Sequence, residues 1–105
     1  MATRIVPRIK LLIRYDIRDA NEAYYQFVLS ELQPAMQGMG LHMLQVYHTA
    51  YGHYPMRQLE FVAEDIETVA GAMHSTEWQD IENKFKQFTF NYSTKVVRFR
   101  NGFQF

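Results

Sequence analysis

Six segments of this chain have the hydrophobic periodicity of a strand or a helix, and their order is strand, helix, strand, strand, helix, strand. The clearest is residues 8–17, where apolar and charged side chains alternate as they do in a strand with one buried face. A chain of 105 residues has the usual size of one domain. The six segments are therefore expected to form a single domain spanning residues 1–105.

The second segment, residues 20–37, is predicted to be a helix because its apolar side chains recur at helical spacing. Asp19, followed three residues later by Glu22, is typical of a helix start. Pro34 is expected to bend or weaken the last turn, and Gly38 helps to end the helix.

Two strands follow, over residues 41–50 and 56–63, and the turn residues between them predict a β-hairpin. In the first of these strands, Leu44 and Val46 are expected to share one face. The opposite face is expected to carry Met43, Gln45 and Tyr47.

Asp65 is the predicted N-cap of a second helix, and Ser75 is predicted to cap a new helical start. This helix is therefore expected to break near His74. The last strand is predicted over residues 90–100, where β-branched and aromatic residues are frequent.

The order of the elements predicts an α+β fold of the ferredoxin-like type, β-α-β-β-α-β. Right-handed crossovers would place both helices on one face of a four-stranded antiparallel sheet. The other face, here called the outer face, is expected to be uncovered. It is predicted to carry the mixed set Arg8, Lys10, Leu12, Arg14, Tyr47, Gln58, Glu60, Val62, Tyr92, Thr94, Val96, Arg98 and Arg100. Either solvent or the same face of a second copy could cover this surface, and its mixture of charged and apolar side chains favours a homodimer.

Composition excludes several classes of partner and site. Eleven basic residues balance eleven acidic ones, so no overall positive field attracts nucleic acid or an anionic membrane. The chain has no cysteine, which removes disulfides, thiolate metal sites and cysteine nucleophiles. The apolar run at residues 11–13 is too short for a signal or membrane segment, and a cytoplasmic location is expected.

The element order, the size and the segment Met73–Gln79, which contains Trp78, together resemble the dimeric α/β-barrel superfamily. That group includes stress-responsive Dabb domains, NIPSNAP and EthD-like proteins, and antibiotic-biosynthesis monooxygenases. The resemblance covers nearly the whole chain. It implies a homodimer whose sheets meet face to face, with any ligand in a cleft between sheet and helices. It implies no single activity, because one fold hosts many functions.

Haem-degrading relatives use an asparagine on the first strand together with a tryptophan and a following histidine. This sequence has Trp78, but residues 8–17 contain no asparagine and His74 precedes the tryptophan. The triad is not reproduced, and no cofactor is predicted.

The four histidines predict no metal site. His42 and His48 are expected on the same side of one strand, but six residues of strand separate them by roughly 20 Å. His74 and Glu77 have a spacing that works on a continuous helix, which the predicted Ser75 cap interrupts.

Four residues are candidates for ligand binding. Tyr15 and His48 are expected on the helix-facing side of the sheet, where an imidazole could act as acid, base or hydrogen-bond donor. Tyr24 and Trp78 are expected on the two helices that face it. Each also has a purely structural interpretation: a histidine bonded to a backbone carbonyl, a buried tyrosine, or a tryptophan that anchors its helix.

Two functions remain open from the sequence. In the first, a small homodimeric protein binds or acts on a small hydrophobic or aromatic metabolite in the sheet–helix cleft, with Tyr15, Tyr24 and His48 as polar contacts. In the second, it is a non-catalytic dimeric stress-associated or binding protein.

Overall fold

The computed structural model describes residues 6–18, 22–51 and 54–102, without the side chains of residues 48–51 and 54–56. The strands are β1 (Ile9–Ile17), β2 (His42–Tyr51), β3 (Tyr54–Ala63) and β4 (Thr89–Arg98). The helices are α1 (Glu22–Phe27), α2 (Gln33–Gly38), α3 (Ile66–Met73) and α4 (Thr76–Gln87), and a π-helical turn, Val28–Leu32, joins α1 to α2. We call α1, the π-helical turn and α2 together the first helical segment.

The strands form one antiparallel sheet with the order β2-β3-β1-β4. This is the strand order of a ferredoxin-like fold, and the predicted element order is confirmed. The helices pack on one face, where Leu11 and Ile13 of β1 pair with Phe61 and Leu59 of β3. These four side chains are at most 1% exposed and form the centre of the core. No helix in the described ranges is long and apolar enough to cross a membrane.

The first helical segment contains a wider turn just before its proline. The backbone N–H of Gln33 donates to the carbonyl of Val28, five residues earlier. Pro34 has no N–H to donate, and its ring crowds the carbonyl of the preceding turn, which accounts for the disturbance here. The segment ends at Gly38, and Gly40 follows with a φ of +84°. The predicted Asp19 cap lies outside the described residues.

Both predicted N-caps of the second helical region are confirmed. The Asp65 carboxylate accepts a 2.8 Å hydrogen bond from the backbone N–H of Thr68. The Ser75 hydroxyl accepts a 3.1 Å bond from the backbone N–H of Trp78. Each cap satisfies a backbone donor that would otherwise lack a partner, and the region therefore breaks into α3 and α4 as expected.

The alternation predicted for β2 is wrong at its start. Met43 pairs with Phe61 and Val46 pairs with Leu59, so both side chains face the helices. The two residues are three positions apart, and in a regular strand they would lie on opposite faces. A β-bulge between Met43 and Gln45 inserts the extra residue. Met43 consequently packs against the core instead of lying on the outer face.

Because of the same bulge, the prediction that His42 and His48 share one side of β2 is wrong. His42 pairs with Val62 on the outer face, whereas His48 pairs with Arg57 on the helix-facing side. Their positions in the ladder therefore lie on opposite faces of the sheet.

The predicted faces of β4 are also wrong. Thr94, Val96 and Arg98 pair with helix-facing residues of β1, not with outer-face ones. Tyr92 lies on the helix side too, since its ring centroid is 5.6 Å from that of Phe85. A register shift accompanies Asn91, whose φ is +53°, and the sequence has valines at both 96 and 97, so its alternation does not show which set faces the core.

The sequence predicted that the outer face is uncovered. In the structure, however, the centre of this face is covered. Lys10 is fully buried there, and its ammonium donates 2.9 Å hydrogen bonds to the carbonyls of Arg100 and Gly102. The same ammonium lies 5.3 Å from the centre of the Phe99 ring. The segment after β4 therefore turns back across β1 and covers part of this face.

A polar network crosses the buried centre of the outer face. Lys10 and Glu60 form a 2.9 Å ion pair in which both side chains are 0% exposed. The Gln58 amide donates to Glu60 at 3.0 Å, and its oxygen accepts from Nε and Nη2 of Arg14 at 3.1 and 2.8 Å. Buried charges require this kind of pairing, because removal from water disfavours an isolated ion.

Candidate functional site

Four polar aromatic and basic side chains meet at one end of the helix-facing side of the sheet. We call Tyr15, Tyr24, Tyr25 and Arg57 the tyrosine–arginine cluster. The hydroxyls of Tyr15 and Tyr24 share a 2.5 Å hydrogen bond. Nη2 of Arg57 donates to the hydroxyl of Tyr25 at 3.1 Å.

The secondary structure brings the cluster together from three elements. Tyr15 and Arg57 are direct neighbours in the ladder between β1 and β3. Tyr24 and Tyr25 come from α1, which packs over this end of the sheet. An edge-on ring contact with Phe85, at 4.7 Å between centroids, fixes Tyr15 from the side of α4.

Burial keeps the two central tyrosines neutral. Tyr15 is 0% exposed and Tyr24 is 2% exposed. Desolvation is the largest cause that raises the pKa of both phenols above the ordinary value, although the nearby Arg57 charge opposes it. Both side chains can therefore serve as hydrogen-bonding hydroxyls, but not as bases at neutral pH.

Arg57 is the unusual member of the cluster. Its guanidinium carbon lies 5.7 Å from the Tyr24 ring centre and 5.5 Å from that of Tyr25. Its Nε is buried and has no hydrogen-bond partner among the described residues. Within the same ranges, the ion pairs involve other side chains and leave Arg57 without a carboxylate.

An apolar rim borders the cluster. Tyr25 and Leu29 are 41% and 67% exposed, and their four-residue spacing places them on one side of the first helical segment. Val46 is 44% exposed and faces the helices from the edge strand β2, two residues from the position opposite Arg57. We call Tyr25, Leu29 and Val46 the apolar rim.

The structure brings together only some of the predicted ligand-binding residues. Tyr15 and Tyr24 meet inside the cluster, and the backbone of His48 pairs with Arg57 next to it. The imidazole of His48 lies outside the described residues. Trp78 is 2% exposed and lies seven residues before Phe85 on α4, about 10 Å along the helix from the ring that contacts Tyr15.

Sequence reasoning missed Arg57 and Tyr25 as site residues. The signal for Arg57 was present, because it shares the alternation of Leu59 and Phe61 and so places a charge on the core side of β3. The sequence around Tyr25 shows no comparable pattern, since the role of Tyr25 depends on a hydrogen bond from Arg57, which lies on another element.

A concave feature lies on the outer face. It is a cavity of about 120 Å³ lined by Leu12, Arg14, Gln58, Ser93 and Lys95. Four of its five lining residues carry a polar or charged side chain. No group of three or more described histidine, aspartate and glutamate side chains could hold a metal ion.

Raising the pH is expected to destabilise the protein through its buried tyrosines. Burial raises the pKa values of Tyr15, Tyr24 and Tyr92, the last also because of nearby Glu82. Above about pH 10 the unfolded chain releases these protons while the folded protein retains them. Each such tyrosine then costs up to about 1.4 kcal/mol of stability per pH unit.

Urea unfolding at a series of alkaline pH values, monitored by circular dichroism, measures this loss. Tyr92→Phe removes one of the three phenol groups whose pKa is raised. The stability of the variant should therefore fall less steeply with increasing pH than that of the wild type. Identical slopes for the two proteins would show that Tyr92 ionises normally when folded.

No protein-family model and no curated protein matches the sequence. Solved structures do match. An uncharacterised NIPSNAP-like domain protein from Burkholderia xenovorans has a TM-score of 0.62 at 18% identity, over 90% of this chain and 86% of its own.

Two further neighbours come from other families of the same fold. An EthD family protein from Bacillus halodurans has a TM-score of 0.59 at 16% identity, covering 86% of this chain and 96% of its own. A variant of SnoaB, a cofactor-independent oxygenase from Streptomyces nogalater, has a TM-score of 0.63 at 6% identity, covering 92% and 97%.

The chain has the fold of these proteins. Its structural neighbours include NIPSNAP, EthD and SnoaB proteins, so the resemblance to NIPSNAP and EthD-like proteins predicted from the sequence is confirmed at the level of the fold. At these identities the match establishes the fold alone, and an activity has to be argued from the residues of this chain.

Proposed function

We propose that this protein binds a small hydrophobic or aromatic compound in the sheet–helix cleft bordered by the apolar rim. The observation that carries the proposal is that Tyr25, Leu29 and Val46 remain exposed near the buried, hydrogen-bonded pair of Tyr15 and Tyr24. Small-molecule sites typically combine apolar walls with a few fixed polar groups. The rim supplies the walls, and Arg57 supplies the polar group.

Binding is the function that the described side chains support better than acid–base catalysis. Tyr15 and Tyr24 are neutral hydroxyls, and arginine stays protonated in proteins. None of them can remove a proton at neutral pH. A reaction on the bound compound, as the oxygenase SnoaB performs on its own substrate, would need a further group, for which His48 stays the candidate.

Calorimetric titration with 2-naphthamide, a neutral aromatic probe, tests this proposal. We expect saturable binding to the wild type. Leu29→Gln, at a rim position that is 67% exposed, should weaken it severalfold without changing the fold. Ile66→Gln is the matched control, because Ile66 is also exposed, at 50%, but lies on α3 away from the rim.

Two outcomes would count against the proposed site. If 2-naphthamide and its carboxylate analogue both fail to bind the wild type, the protein has no aromatic site of this kind. If both glutamine variants weaken binding equally, the probe is responding to general surface hydrophobicity.

We also propose that two copies associate through the outer face, as the resemblance implies. Glu60 is already paired with Lys10 inside one chain, so reversing its charge would unfold the protein and could not report on a dimer. Lys95 is exposed on that face. Light scattering should give a dimer for the wild type and a larger monomer fraction for Lys95→Glu. A monomeric wild type at micromolar concentration would contradict the proposal.

A further inference from the structure

We infer that the compound bound in this cleft carries a negatively charged oxygen, as a carboxylate or an enolate, which accepts a hydrogen bond from Nε of Arg57. The inference rests on the proposed function and names the chemical class of its ligand. It would place one charged contact at the inner end of an otherwise apolar and aromatic site.

The first support is the unsatisfied donor. Nε of Arg57 is buried, and no described residue accepts its hydrogen. Buried N–H groups in folded proteins are nearly always paired, and an unpaired one destabilises the structure. A ligand oxygen that accepts this hydrogen would remove that cost and so bind more tightly than a ligand without one.

The second support is the uncompensated charge. Arg57 is half-buried and forms no ion pair within the described ranges. The rings of Tyr24 and Tyr25 attract its guanidinium, but they do not neutralise it. A partly desolvated cation of this kind favours an anionic partner over a neutral one.

The third support is a second donor next to the first. The Tyr25 hydroxyl accepts from Nη2 of Arg57, so its own hydrogen is left to be donated. A carboxylate has two oxygens and can accept from both Arg57 and Tyr25. The ring of the compound would then lie toward Leu29 and Val46, whose side chains are exposed.

The surroundings of Arg57 supply no competing anion from the tyrosines. Tyr15 and Tyr24 are the two buried phenols of the cluster, and the pKa values of both are raised by burial. They stay uncharged at neutral pH, so neither of these two phenols competes with a ligand oxygen for Arg57.

The test compares two probes of nearly the same shape, 2-naphthoate and 2-naphthamide, by calorimetry at neutral pH. The wild type should bind the carboxylate at least about tenfold more tightly than the amide, as expected for a hydrogen bond to a charged group. Arg57→Gln should remove that preference while retaining affinity for the amide. Arg98→Gln is the control. It removes an exposed arginine on another strand and should change neither the affinity for 2-naphthoate nor that for 2-naphthamide.

Thermal unfolding checks that Arg57→Gln is folded, and Arg57→Lys provides a second variant that keeps the charge but loses Nε. Arg57→Lys should keep part of the preference for 2-naphthoate. Equal affinities for the two probes in the wild type, or an unchanged preference in Arg57→Gln, would overturn the inference and leave the proposed function standing. If neither 2-naphthoate nor 2-naphthamide binds the wild type, the inference and the proposed function are both overturned.

Discussion

Replacing Lys10 with methionine is expected to lower the free energy of unfolding by roughly 3–5 kcal/mol. The substitution leaves the carboxylate of Glu60 buried without its cation, and both side chains are 0% exposed in the native protein. It also removes the donor that holds the carbonyls of Arg100 and Gly102, so the segment after β4 should loosen. Urea unfolding monitored by circular dichroism measures the loss.

The double variant Lys10→Met with Glu60→Leu separates the two causes. Removing both charges together should recover most of the stability, because a buried ion pair and an apolar pair of similar volume are often nearly equivalent. Lys84→Met is the control, since Lys84 forms an exposed ion pair with Glu31 and its loss should change stability little. A single Lys10 variant as stable as the wild type would mean that the pair is solvated.

Replacing Trp78 with alanine is expected to cost a comparable amount, roughly 3–5 kcal/mol. The side chain is 2% exposed, and its removal would leave a large cavity where α4 packs on the sheet. Thermal or urea unfolding measures the effect. The expectation follows from the structural interpretation of Trp78, in which it anchors its helix instead of stacking on a ligand.

Trp78→Phe distinguishes that interpretation from a role in binding. Phenylalanine retains much of the packing, so the variant should stay folded, and its affinity for 2-naphthoate should equal that of the wild type. The chain has no other tryptophan, so its fluorescence reports on this position alone. A large loss of affinity in a well-folded Trp78→Phe protein would place the tryptophan in the site.

The fold was predictable because several local signals agreed. The strand β1 and the caps at Asp65 and Ser75 each appear in the structure where the sequence predicted them, although both faces of β1 are largely buried. A strong period and a capping side chain act over a few residues and do not depend on distant parts of the chain.

The faces of the edge strands were not predictable in the same way. A single bulge in β2 moves Met43 to the core side, and a register shift near Asn91 accompanies the wrong assignment of β4. Bulges depend on how two distant strands pair, and one extra residue reverses every later side chain.

The candidate site was half predictable. Tyr15 was expected on the helix-facing side of β1, and the structure places its hydroxyl against that of Tyr24. The role of Arg57 could not be deduced, because the lack of an acceptor for its Nε among the described residues depends on how several elements pack together. The buried pair of Lys10 and Glu60 was missed for a similar reason, since the segment that covers it comes from the far end of the chain.

The most direct test of the binding site is an amide ¹H–¹⁵N correlation spectrum of the protein titrated with 2-naphthoate. If the cleft beside the tyrosine–arginine cluster is the site, the largest shifts fall on Tyr25, Leu29 and Arg57 and saturate together. If the largest shifts fall instead on Ser93 and Lys95, the outer-face cavity is the site, and an unchanged spectrum at the solubility limit of 2-naphthoate would contradict binding of this class of compound altogether.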